Sequence, residues 1–325
     1  MTEITFRQAL QRGLREALDA DPDVFLMGED IGKYDGAYAV TQGLLEKYGP
    51  DRVRDTPISE AAFVGAGVGA AVAGLRPVVE LMSMSFSLVA SDQIVNMAAK
   101  IRYMSGGQLK VPMVLRAPTG GGVQLAATHS QSFENWYASV PGLKVVTPST
   151  PYDALGLLRS SIEDDNPVVF AENALLYATR GDVPDEEYRV PIGVADVKRT
   201  GTDITLVGWA HGIVTLMAAA EKLAETGVSA EVVDLRSLRP LDMETVIESV
   251  EKTGRALVLD ENWRTAGFGA ELAAEIGYRS SDYLDGPVAR VSGTDTPSPY
   301  SRPLEQLGIP QVPWVIDEIE KTYGI

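Results

Sequence analysis

Apolar residues recur along this chain with two alternating periods. From Phe6 to Leu18 the spacing is helical, with Phe6, Ala9, Leu10, Leu14 and Ala17 on one face. A short apolar strand, Val24 to Met27, follows and ends in Gly28-Glu29-Asp30. Asp55 to Gly69 places Glu60 at the start of a helix built largely from Gly and Ala. Val78 to Met82 reads as the next strand. Ser87 to Met104 is predicted as one long helix, with Ile94, Met97, Ala98 and Ile101 on one face. Val111 to Arg116, Val145-Val146 and Val168 to Ala171 are further strands, with a helix from Tyr152 to Ser161 before the last. Strands alternating with helices predict a mostly parallel sheet covered on both faces.

The pattern breaks between Thr179 and Thr200, where charge, Pro and Gly are frequent, and then restarts. Strands at Ile204–Trp209, Ala230–Leu235, Arg255–Asp260 and Val288–Val291 alternate with helices at Gly212–Glu225, Met243–Lys252 and Phe268–Tyr278. The fold class is therefore α/β with two parallel-sheet domains: the first over 1–180, a connection over 181–199, and a smaller second domain over 200–325.

Composition narrows the classes. The 325 residues are 45% hydrophobic and 22% charged, which suits a globular chain with real cores. The net charge of -17 and the absence of any Lys/Arg run speak against nucleic acid as a partner. There is no Cys, which excludes disulfides, thiolate nucleophiles and zinc–thiolate sites. The start, MTEITFRQAL, lacks the basic-then-apolar order of a signal peptide. The longest apolar run, Ala61 to Leu75, is too short to span a bilayer. The expectation is a cytoplasmic protein with no membrane partner.

Several motifs bear on chemistry. Glu60 is either a first-turn acid favoured by unpaired helix N–H groups or a general acid/base held beside a close-packed helix. Gly65-Ala66-Gly67-Val68-Gly69 lacks the spacing and context of a dinucleotide fingerprint and reads as helix packing. Gly120-Gly121-Gly122 could cradle a phosphate, but no GK[ST] follows, so it reads as a flexible turn. His129, in THSQSFENWY, is an ordinary loop histidine or a proton carrier. His211, at a strand-to-helix turn, reads as structural. No G-x-S-x-G elbow supports serine hydrolase chemistry. Asp164-Asp165-Asn166 is an oxygen-rich turn, a plain loop or a seat for a hard cation.

Taken in order, GED at 28–30, DTPISE at 55–60, DQIVNMAAKIRYMSGG at 92–107, HSQS at 129–132, PGLKVVTPSTPYDA at 141–154 and VVDLRSLRPLD at 232–242 resemble the beta subunits of the thiamine-diphosphate-dependent 2-oxo acid dehydrogenases. The resemblance covers essentially the whole chain. It implies a pyrimidine-binding domain followed by a transketolase C-terminal-like domain. It implies that Glu60 hydrogen-bonds the cofactor's aminopyrimidine ring, that Phe86 packs on the pyrimidine face, and that Met82 and Ile58 lie beside them. It implies that His129 faces the substrate and the incoming lipoyl group. The turn SIEDDNP at 161–167 is similar to the family's structural potassium site, with ligands at Met113, Ser161, Ile162, Asp164 and Asn166, mostly through backbone oxygens.

One family motif is missing. The diphosphate–magnesium sequence GDG does not occur, since Gly181-Asp182 is followed by Val183. The resemblance then implies that an alpha subunit supplies the magnesium and diphosphate half of thiamine diphosphate binding, in an α2β2 heterotetramer that docks a lipoyl acyltransferase core. The implied reaction is oxidative decarboxylation of a small 2-oxo acid, with pyruvate first and acetoin or a branched-chain 2-oxo acid as alternatives. A noncatalytic scaffold between alpha subunit and core is the alternative of another class.

Overall fold

Helical and strand periods fold here into two sheets that share one core. The computed structural model describes residues 1–325. In chain order the strands are β1 (Thr2–Thr5), β2 (Val24–Glu29), β3 (Val53–Thr56), β4 (Arg76–Glu80), β5 (Val114–Thr119), β6 (Lys144–Val146), β7 (Val168–Asn173), β8 (Arg180–Val183), β9 (Asp196–Arg199), β10 (Ile204–Gly208), β11 (Ala230–Asp234), β12 (Ser237–Arg239), β13 (Ala256–Trp263) and β14 (Ala289–Gly293). The first sheet has the order β12-β6-β7-β5-β4-β2-β3 and the second β14-β13-β10-β11-β9. Within the first sheet every pairing is parallel except β12 on β6. In the second, only β9 on β11 is antiparallel. The strand pair β1–β8 is a separate antiparallel ribbon.

Helices cover both faces of each sheet, as buried parallel strands require. Helix Phe6–Ala20 begins with a capping box between Thr5 and Gln8. Helix Pro151–Glu163 starts with Pro151 in its first turn and the Thr150 side chain accepting from the Asp153 amide. These two pack Leu10, Leu14, Leu155 and Leu158 on one face of the first sheet. The Gly/Ala-rich helix Glu60–Val72 lies on the other face. Its approach to β4 depends on Gly67, where a Cβ would meet Val79 Cγ2 at 2.7 Å. That core continues through Leu115 and Val145 to Leu235, Val207 and Val258 of the second domain. The far face of the second sheet is covered by helices Gly212–Glu225 and Val312–Tyr323.

The helix predicted over 87–104 is not continuous. A 3-10 segment, Met84–Ala90, leads into a π-turn, Gln93–Ala98, and then a short α-helix, Ala99–Met104. The Ser83 side chain caps the first segment by accepting from the Ser85 amide. The wider π-turn rotates the apolar face. Ile94, Ala98 and Ala99 turn inward, while Met97 is left 43% exposed. The stretch 181–199 is ordered by both domains. Val183 and Val190 enter the first core, Tyr188 stacks on Tyr152 at 4.5 Å, and β9 joins the second sheet.

Buried charges tie the domains together. Asp153 of the first domain pairs with Lys198 Nζ and Arg236 Nη2, both at 2.7 Å. Lys198 also reaches Asp234 at 3.6 Å. Burial, and then the charge of Asp153, push Asp234 above its ordinary value. Breaking such a pair leaves an uncompensated buried charge.

Two glycines give opposed expectations. At Gly28 a Cβ would lie 2.3 Å from the Glu80 carbonyl oxygen, so Gly28→Ala should force β2 from β4 and destabilise by about 1–3 kcal/mol. At Gly69, on the exposed side of the same region's helix, a Cβ meets nothing within 4 Å, so Gly69→Ala should stabilise by about 0.5–1 kcal/mol. Urea denaturation midpoints of the two variants check the pair.

Candidate active site

Parallel sheets expose the carboxyl ends of their strands as a binding edge. Here β2 ends in Glu29, and the turn after β3 delivers Glu60 as the first residue of helix Glu60–Val72. Unpaired amides at that helix start favour the negative charge. Both carboxyls are buried, Glu60 at 5% and Glu29 at 4% exposure. They lie within hydrogen-bonding reach of each other. Glu29 Oε2 accepts from the Met82 amide at 3.4 Å, and Oε1 has no protein partner. Burial first, and the Glu60 charge second, raise Glu29 to about 7, so it titrates near neutral pH and not in the ordinary carboxylate range.

Phe86 and His129 form a second pair. Their rings meet edge to face, with centroids 4.9 Å apart and planes at 82°. His129 is exposed, and its Nδ1 lies 2.9 Å from Thr128 Oγ1. The segment from Met82 to Phe86 connects this pair to the carboxyls. Ile58 is 79% exposed and stands on the rim, just ahead of the helix start. The structure thus gathers Glu60, Met82, Phe86 and His129 along one short path, with Ile58 outside it. Glu29 is the addition. It lies in the GED block at 28–30, which carried no chemical role by itself, and the pairing of β2 with β3 brings it beside the Glu60 turn.

The oxygen-rich turn sits at the opposite, amino end of β7. The carbonyl oxygens of Ile162 and Asp164 accept from Arg76 Nη1 at 3.0 and 3.3 Å, and that of Met113 accepts from the Val168 amide at 2.9 Å. Ser161 Oγ donates to Leu157 O at 2.7 Å. The Asn166 side-chain oxygen accepts from Arg102 at 2.6 Å, and the Asp164 carboxylate pairs with Lys144. Burial would raise Asp164, but Lys144 and Asn166 together hold it below its ordinary value. Each carbonyl keeps a second lone pair, but a guanidinium already sits on those of Ile162 and Asp164, and the side chains of Asp164 and Asn166 are engaged by Lys144 and Arg102.

His211 is structural. Its Nδ1 lies 2.8 Å from Glu261 Oε1, and Glu261 Oε2 accepts from Asn173 Nδ2 at 2.6 Å across the domain seam. Burial alone would lower His211, and the Glu261 contact outweighs it. The triple glycine faces a carboxylate of this same chain, Glu305, rather than open solvent.

Comparison with known proteins gives the family and the fold. Residues 2–179 match the family described as Transketolase, pyrimidine binding domain, and residues 193–315 match Transketolase, C-terminal domain. The chain is 51% identical over 314 residues to the pyruvate dehydrogenase E1 component subunit beta-1, mitochondrial, of Arabidopsis thaliana, covering 95% of this chain and 86% of that protein. It is 47% identical over 320 residues to the pyruvate dehydrogenase E1 component subunit beta of Rickettsia bellii, covering 98% of each. Among solved structures, a split gene transketolase described as an inactive beta4 tetramer superposes with a TM-score of 0.79 at 23% identity, covering 99% of this chain and 98% of that one. That likeness speaks to the fold.

The proton on Glu29 has a measurable sign. A carboxyl raised from 4.5 to about 7 on folding contributes stability that is present below 4.5 and lost as pH rises toward 7. Glu29→Gln should therefore flatten the fall in unfolding free energy across this window by up to about one proton. Urea denaturation at a series of pH values measures it, and an unchanged slope would place the proton elsewhere.

Proposed function

The chain belongs to the family of pyruvate dehydrogenase E1 beta subunits, and from that premise we propose that it carries the pyrimidine half of an active site for oxidative decarboxylation of pyruvate. The observation that carries this reading is the burial of Glu60 and Glu29 side by side at the carboxyl end of the sheet, with no cation paired to either. A scaffold between an alpha subunit and a complex core has no use for such a pair. The names of the relatives favour pyruvate over acetoin and branched-chain 2-oxo acids.

Thiamine diphosphate, when bound, supplies the carbon nucleophile that attacks the keto group. The chain's own contribution is proton control and positioning. Glu60 hydrogen-bonds a ring nitrogen and moves a proton there, general acid/base work that suits a carboxyl in a dry site. Burial beside Glu60 moves the proton affinity of Glu29 toward neutral pH, so that the two carboxyls can share a proton and limit their repulsion. Phe86 would pack on the pyrimidine face with Met82 beside it, and Ile58, exposed on the rim, would line the same pocket. His129, edge-on to Phe86, donates a proton as the acetyl group passes to a lipoyl group.

An alpha subunit would hold magnesium and the diphosphate, since this chain lacks the GDG motif. We place the two in an α2β2 heterotetramer, with the second domain docking the lipoyl acyltransferase core. No helix is long and apolar enough to cross a membrane. A cytoplasmic location is part of the same reading, supported by a composition without cysteine. Potassium would be held by Met113, Ser161, Ile162, Asp164 and Asn166, mostly through main-chain oxygens, with Arg76 giving way from those of Ile162 and Asp164.

In the complex with its alpha subunit, Glu60→Gln should cost at least about 10²-fold in pyruvate turnover without changing the unfolding midpoint, because a positioned acid/base is worth that much. His129→Ala should impair acetyl transfer to lipoamide more than decarboxylation with an artificial oxidant. Retained turnover in the first, or equal losses in the second, would overturn those roles. Replacing potassium by tetramethylammonium should lower the thermal midpoint of the complex, and an unchanged midpoint would remove the ion from the account.

A further inference from the structure

We propose that Glu305, from the second domain, is a positioning residue that clamps the loop carrying His129. This rests on the acyl-transfer role given to His129 above. The loop leaves β5 at Gly120 and returns at Gln131. Its backbone adopts positive φ at Gly120, Gly122, Gln124 and Ala126, with values of 86°, 98°, 59° and 62°. Side chains disfavour that region, so Gln124 and Ala126 need outside support to stay there.

The loop supplies little of that support itself. Gly120 N to Gln131 O is 3.4 Å, His129 N to Ala126 O is 3.3 Å, and Thr119 Oγ1 to Gln131 O is 3.3 Å, all long. Ser130 Oγ is buried without a protein partner. Against this, the Glu305 carboxylate is 1% exposed and aimed at the loop. Its Oε1 accepts from the Gly122 amide at 2.9 Å and the Gln124 amide at 3.2 Å, and its Oε2 accepts from Gln124 at 3.1 Å. Successive amides in turn conformations form an anion-binding concavity. The concavity that a phosphate could occupy is filled by this chain's own carboxylate. No Lys or Arg pairs with Glu305, so the two amides are its compensation, and charge-assisted bonds of this kind are the stronger sort.

The glycines follow from the clamp. A Cβ at Gly120 would lie 2.8 Å from Asn173 Nδ2, one at Gly121 3.1 Å from Ile309 Cδ1, and one at Gly122 2.9 Å from the Leu175 side chain. The turn is closely packed on three sides, not flexible. Glu305 thereby acts through the loop on the placement of the His129 ring against Phe86.

The test uses the complex with its alpha subunit and the variants Glu305→Ala, Glu305→Gln and His129→Ala. Three quantities are read: amide hydrogen exchange over 120–131, decarboxylation with an artificial oxidant, and acetyl transfer to lipoamide. Glu305→Ala should speed exchange of the Gly122 and Gln124 amides by about tenfold or more. It should lower acetyl transfer by about tenfold while decarboxylation changes far less. Glu305→Gln keeps an acceptor at the Oε1 position and should restore most of both, which a general loss of folding would not allow. Unchanged exchange in Glu305→Ala overturns the clamp. So does a loosened loop with intact acetyl transfer, provided that His129→Ala impairs that step. If His129→Ala leaves acetyl transfer intact, the histidine's role falls instead, and the exchange result alone decides the clamp.

Discussion

Two carboxyl groups buried side by side without a cation set the terms for the first domain. Charge in a dry site must be paired, neutralised or shared, and burial beside Glu60 pushes Glu29 up to about 7, where a proton is readily held or given up. To bring Glu29 next to Glu60, β2 must run close to β4, which Gly28 permits, and the Glu60 helix must lie flat on β4, which Gly67 permits. The small residues of the region are thus the geometric condition for the acidic pair. The pair in turn gives this end of the sheet two carboxyls that exchange a proton near neutral pH instead of in the ordinary acid range.

The opposite solution operates a few residues away. Arg116, 2% exposed, meets Glu172 through two bonds of 2.7 Å and also pairs with Glu80, while Tyr177 donates to Glu172 at 2.7 Å. Burial raises Glu80 to about 7 even with that arginine close by. Here acids are neutralised by a guanidinium, and the result is a rigid knot under the Tyr38–Tyr177 stack. The two arrangements lie on opposite faces of one sheet, and only one of them brings a cation to its acids.

Much of this was legible in the sequence. Long amphipathic segments such as 6–20 and 212–225 have enough turns for periodicity to show, and the buried strands read as apolar runs. Glu60 stood out because an acid before a Gly/Ala helix is an unusual pattern. The failures have physical causes. Strands β1, β3, β8 and β9 are four residues each, and the last three are rich in charge, so no period can develop. The π-turn at 93–98 adds to each turn and shifts the apolar face without changing composition. Glu29 and Glu305 owe their roles to partners far away in sequence, Glu305 to amides more than 180 residues earlier, and no local window holds both sides of such a contact.

Strand β12 belongs by sequence to the second domain, yet it completes the first sheet by pairing antiparallel with β6. During synthesis, then, the first domain emerges with β6 as an unpaired edge and must wait about ninety residues of chain for its cover. An uncovered parallel edge is an open template for pairing with other strands. The first domain cannot be finished before the second has begun to fold, so the two are obliged to mature together. Cutting the chain at the domain connection would free an adhesive edge instead of two tidy halves.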